Sequence, residues 1–195
     1  MNRRTFTILF CVVILSVSTV YAQGPNKVSF SATESFDPFG ILGAPVGMYL
    51  PSDVTVTCPG HIPTGDPAQP CPAGSRTHLR NSKWMSRVVS NTEGISDGWM
   101  TVVANANLDA DFTGPQWGTF VLDYDSGGEM KGTWAALRVR EGDHWTSQLH
   151  ASGRISGGTF DRAHAMINEE LDSFTPVPFY YTGLVKGRLV IPRSE

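Results

Sequence analysis

Two histidines, His150 and His164, and the adjacent glutamates Glu169 and Glu170 fall within one stretch, "HASGRISGGTFDRAHAMINEEL" (His150 to Leu171). An imidazole beside a carboxylate can move a proton, so these residue types raise the question of general acid–base chemistry. Whether they act together depends on the elements that carry them. The run His144 to Arg154 alternates, with His144, Thr146, Gln148, His150 and Ser152 on one face and Trp145, Ser147, Leu149 and Ala151 on the other. The preceding run separates Trp134, Ala136, Arg138 and Arg140 from Thr133, Ala135, Leu137 and Val139, and the following one collects His164, Asn168, Glu170 and Asp172. Hairpin neighbours of this kind would set three ionisable faces side by side, with Glu169 directed the other way. The Gly-Gly-Thr centre is flanked by strands and not by a helix, so it reads as a hairpin corner rather than a phosphate or oxyanion loop.

Two uses of that polar face compete. Turned to solvent, its members would form cross-strand pairs worth roughly a few tenths of a kcal/mol each. Turned into a cavity, a desolvated His or Glu would acquire a shifted pKa. In that case His150 and Glu170 form the acid/base pair, Arg138 holds an anion, Tyr180 donates a hydroxyl, and Gln148, Trp134 and His164 complete the ligand site.

Periodicity predicts strands almost throughout: 27–33, 53–57, 75–80, 83–90, 98–108, 116–124, 130–140, 144–154, 162–172 and 178–191. Turn clusters such as "NTEGISDG", "DSGGE" and "EGDH" separate them at the short spacing of a β-barrel or sandwich. The segment Glu34 to Leu50, rich in Pro, Gly and apolar residues without a period, reads as a long ordered loop over the domain or across a barrel mouth. Gly118-Thr119-Phe120, Gly132-Thr133-Trp134 and Gly158-Thr159-Phe160 echo one another without a fixed period, and glycine at such places relieves crowding where strands bend. All five tryptophans, Trp84, Trp99, Trp117, Trp134 and Trp145, fall in predicted strands. Core packing is the favoured use, since aromatics dominate small β cores, and a stacking platform for sugars or a flat aromatic ligand is the alternative.

The ends bound the setting. Arg3 and Arg4 precede an apolar run, Phe6 to Val20, and Val20-Tyr21-Ala22 offers a small-residue cleavage site, so residues 1–22 read as a secretory signal peptide and 23–195 as one domain. The apolar run falls short of the roughly 20 residues that span a bilayer. A secreted or periplasmic location follows, with no stable membrane insertion after cleavage. Acids outnumber bases, 18 to 15, and no basic stripe exists to neutralise phosphates, which excludes nucleic acid as a natural partner. Cys58 and Cys71 bracket the Pro/Gly-rich loop "TCPGHIPTGDPAQPC", and an even pair in an exported chain predicts a disulfide. The competing use, a metal site of both thiolates with His61, lacks a C-x-x-C pair. "NANLDADFTG" places Asn107, Asp109 and Asp111 at alternate positions but lacks the glycine and terminal glutamate of an EF-hand. G-x-S-x-G, H-E-x-x-H, Walker and Rossmann signatures are absent.

The motif "GRISGGTFDRA" (Gly153 to Ala163), with "GEMKGTW" and "WGTF" before it, resembles the glycine-threonine-rich hairpin of small exported bacterial barrels. Over about Gly98 to Pro192 the chain is similar to the allene oxide cyclase and dirigent barrels. The resemblance implies eight antiparallel strands around an apolar, cofactor-free cavity, and no functional residue of those families maps onto a position here. The expectation is therefore an all-β, closed antiparallel barrel of about eight strands, with a two-sheet sandwich or jelly roll as the alternative. Its expected function is to hold a small apolar or aromatic ligand without a cofactor or metal. A cofactor-free isomerase or cyclase using His150 and Glu170 is the second expectation, and a carbohydrate-binding or structural sandwich the third.

Overall fold

The computed structural model describes residues 26–59, 71–72, 74–174 and 180–192. The signal-peptide reading, His61 and the expected start of the last strand at 178 lie outside these residues. Ten strands follow in chain order: β1 (Asn26–Phe36), β2 (Met48–Tyr49), β3 (Thr55–Thr57), β4 (Thr77–Ser90), β5 (Gly98–Leu108), β6 (Gly114–Tyr124), β7 (Glu129–Glu141), β8 (His144–Ser156), β9 (His164–Ser173) and β10 (Tyr181–Ile191).

Every strand pairing is antiparallel. The order β1-β10-β9-β8-β7-β6-β5-β4 returns on itself through a β1–β4 pairing, so eight strands are hydrogen-bonded in a ring. The short β3 pairs with His78 to Arg80 of β4 and β2 with Trp84 and Met85, where β1 no longer runs beside it. Alternation produces this ring: in β9, residues 165, 167 and 169 are buried while 164, 166, 168 and 170 are exposed. The buried set from the eight ring strands forms one core around Trp84, Phe120, Met130, Trp134, Leu149, Ile167 and Leu189. Burying each such side chain contributes about 1.5–3 kcal/mol.

Two of the expected strands, 75–80 and 83–90, are one. β4 runs through both, with a register shift between Leu79 and Ser82 and Asn81 at φ 58°. This β-bulge absorbs one step of the pleat, which is why the alternation looked broken in sequence. The loop expected from Glu34 begins later, because β1 continues to Phe36 and Glu34 is a strand residue. The rest, 37–47, is pinned where Asp37 pairs with Val46 and its carboxylate accepts from the Ile41 and Leu42 amides. Cys58 and Cys71 are disulfide-bonded, with Cα atoms 5.5 Å apart.

Two of the three glycine-threonine echoes have a shared structural use. Gly118 is paired with Trp134 and Gly132 with Phe120, and each missing side chain leaves the space the opposite ring fills. The third, at Gly158, is a turn: Gly157 and Gly158 have φ of 74° and 68°, in the left-handed region that glycine enters at no steric cost.

Candidate functional site

A cavity of about 70 Å³ lies inside the ring. One water needs roughly 10–15 Å³ of such space, so the cavity has room for more than a single water. Its wall is mostly apolar, built from Phe30, Val88, Met100, Val102, Phe120, Leu122, Trp134, Leu149, Ile167 and Val185. One end reaches Ser90, Ile95 and Ser96, around the β4–β5 connection. At the other end the wall turns polar, with Glu34, Glu169, Tyr181 and Trp84.

This polar end is a connected cluster. Glu34 on β1 is 2% exposed. Its Oε1 accepts from the Ser86 hydroxyl of β4 at 2.6 Å and from the Tyr181 hydroxyl of β10. Tyr181 in turn accepts from the Trp84 indole N–H at 3.0 Å. Glu169 of β9 hydrogen-bonds to Glu34. The two carboxyls meet across β10 because the intervening residue is Gly183, where a β-carbon would collide with the Glu169 carboxyl.

Burial raises the pKa of both acids, since a charged carboxylate loses hydration that an apolar wall cannot replace. The hydrogen bonds from Ser86 and Tyr181 counter this at Glu34, whereas the neighbouring charge of Glu34 pushes Glu169 up further. Both shifts favour a proton held between the two carboxyls, and the upward push is the stronger at Glu169. Burial first, then the Glu34 charge, also drives the Tyr181 hydroxyl well above its usual range. Tyr124, on the cavity wall, is pushed by burial to about 12.

The expected acid/base pair lies elsewhere. Parity along 144–154 and 162–172 is as expected, but the polar face is the outer one. His150, Gln148, His164 and Glu170 are all exposed. His150 Nδ1 is 2.6 Å from Asn168 Oδ1 of β9, and Gln148 pairs across from Glu170. The expectation that these four line a cavity is thereby corrected: the strand faces that carry Leu149, Ala151 and Ile167 are the ones that bury apolar surface.

Arg138 is separated from them, since its face is the inner one. It is 3% exposed, donates to Ser173 Oγ at 3.5 Å and lies over the Trp145 ring at 5.4 Å. Burial lowers its pKa to about 10. It is not on the cavity wall, so it does not hold an anion there. Tyr180 is buried but outside the cavity, stacked on Phe174 with ring centres 5.7 Å apart. Of the expected ligand-site residues, Trp134 alone lines the cavity.

The other candidate features resolve locally. Asp109 Oδ1 accepts from the amides of Asp111 and Thr113, each at 2.9 Å, which closes the Asp-rich turn on itself. Trp99 and Trp117 lie outside the cavity, beneath the guanidinium groups of Arg87 and Arg80 at 5.3 and 5.1 Å. No helix of the described residues is long and apolar enough to cross a membrane.

Glu34 and Glu169 were not among the expected site residues, although a signal for each exists. Ala32 and Phe36 flank Glu34 at the same strand parity, and Ala165, Ile167 and Leu171 share the parity of Glu169. An acid alone on an apolar stripe is either an interior group or an error of register, and both here are interior. Comparison of the chain with protein-family models, curated proteins and solved structures gives no match.

Proposed function

We propose that this protein binds a small, mainly apolar ligand inside its strand ring. One observation carries the reading: an apolar cavity that closes on a polar cluster, Glu34, Glu169, Tyr181, Ser86 and Trp84. Pockets of this composition use apolar walls for affinity and a few placed polar groups for orientation. The likeness to allene oxide cyclase and dirigent barrels belongs to the same proposal, as does export to an oxidising compartment, which the Cys58–Cys71 disulfide supports.

The test is a titration with a small hydrophobic fluorophore that absorbs at tryptophan emission. Trp84 and Trp134 stand on the cavity wall, so binding quenches their emission at one saturable site. Ala151→Phe, which fills the cavity from β8, weakens that binding at least about tenfold while overpacking costs roughly 1–3 kcal/mol of stability. A flat titration of the folded native protein removes the proposal.

A second reading rests on the same cluster. A carboxylic acid hydrogen-bonded to a carboxylate in an apolar pocket is an acid/base pair. The isomerase reading thus moves from His150 and Glu170 to Glu169 and Glu34. It requires that a bound ligand be converted by the native protein and left unchanged by Glu169→Gln. For the carbohydrate reading, Arg80 lies over Trp117 and Arg87 over Trp99, so one face of each of these rings is already in use.

A further inference from the structure

Charge on the cavity wall is one-sided. Glu34 and Glu169 face it, and among the described residues no lysine, arginine or histidine does. The buried Arg138 is engaged with Ser173 and the Trp145 ring, away from the wall. Glu34 accepts from Ser86 and Tyr181. Glu169 is 6% exposed, and its Oε1 has no hydrogen-bond donor among the described residues. A protonated carboxyl keeps the acceptor positions of its carbonyl oxygen, so Glu169 Oε1 is an acceptor left open on the wall. The rings of Trp84, Phe120 and Trp134 on the same wall add electron-rich faces, which attract cations.

Head groups can be ranked against this surface. A carboxylate would bring a third acid to two that already share a confined space, and like charges at such range disfavour each other. A ketone or ether brings only acceptors, which suit the unpartnered Trp134 indole N–H on the wall but not the open oxygen of Glu169. An alcohol brings one donor. An ammonium brings three donors and the one positive charge that a carboxylate–carboxylic acid pair lacks.

From this geometry we infer that the ligand is a small apolar amine, its ammonium seated on the Glu34–Glu169 pair and its hydrocarbon among Phe120, Leu149 and Ile167; the inference rests on the ligand-binding reading above. No covalent step is involved. With one proton shared between Glu34 and Glu169, one ammonium neutralises the pair.

The test is a matched series, butylamine, butanol and butyrate, each titrated against tryptophan emission of the full protein beside the hydrophobic fluorophore. Butylamine is expected to bind at least about tenfold more tightly than butanol, the scale of a hydrogen bond to a charged group. Butyrate is expected to show no saturable binding. The isosteric double variant Glu34→Gln/Glu169→Gln keeps the shape and removes the charge, so it is expected to lose the preference for the amine over butanol. Fluorophore binding by that variant shows that its cavity is intact. If the fluorophore binds and the amine shows no advantage, or the double variant keeps that advantage, the amine assignment fails and the ligand-binding reading stands. If neither the fluorophore nor any of the three compounds binds the native protein, both fail.

Discussion

Glu169 occupies a place where losing a proton is costly: burial, the charge of Glu34 and the hydrogen bond to it all favour its protonated form. That has a thermodynamic signature. A carboxyl whose folded-state pKa is raised binds its proton more tightly in the native than in the unfolded chain, so its contribution to stability is complete below the usual carboxyl range. It is lost as pH rises through the raised value. Glu169→Gln replaces the acid by a neutral group of the same shape that can still donate to Glu34. Thermal unfolding followed from pH 4 upward is expected to show the native protein losing stability relative to this variant as pH rises. Parallel curves would contradict the protonated assignment. At this scale the sequence was half legible. Strand parity separated Glu169 from Glu170, but a period of two defines two faces without saying which is inside. The outer face carries His150 and Glu170, and the inner face also carries polar groups, Arg138, Ser147 and Glu169, so hydrophobicity gave a weaker contrast than usual.

At the scale of elements, β10 shows how a strand can build a site without contributing a functional group at the critical position. Gly183 pairs with Glu34 on one side and Leu171 on the other, and its missing side chain is the gap through which the carboxyls meet. Gly183→Ala would drive a methyl group into the Glu169 carboxyl and the Leu171 side chain. The expected loss is about 2–3 kcal/mol from overpacking and a disrupted buried hydrogen bond, read as a lower urea midpoint. The same change at Gly142, where a β-carbon meets nothing within 4 Å but φ is 68°, serves as the control for backbone strain alone. Element positions were the most legible part of the chain: Gly98 to Leu108 was read with the bounds it has, and His144 begins β8. The errors have local causes. Thr33-Glu34-Ser35 lacks the apolar alternation that marks a strand, because its inward residue is the buried acid itself. Met48–Tyr49 is too short to show a period.

For the whole molecule, two closures hold the chain, and they differ in kind. The Cys58–Cys71 bond constrains a loop with 13 residues of sequence separation, worth about 3 kcal/mol from lost chain entropy in the unfolded state. Neither cysteine stands on the cavity wall, so reduction is expected to lower the unfolding midpoint while leaving fluorophore binding in the folded state unchanged. The ring closure is a matter of registers. β7 and β8 pair from Glu129–Ser156 to Glu141–His144, whereas β1 and β4 pair only from Ala32–Ser90 to Ser35–Arg87. Ser86 of β4 reaches Glu34 of β1 beside this short ladder, so the polar cluster also acts as the clasp of the seam. The seam is where the ring should breathe first. Amides facing it between 87 and 90 are expected to exchange with deuterated solvent sooner than those between β7 and β8, and Ser86→Ala to widen the difference. The cluster that faces the ligand would then also set how often the ring parts to exchange it.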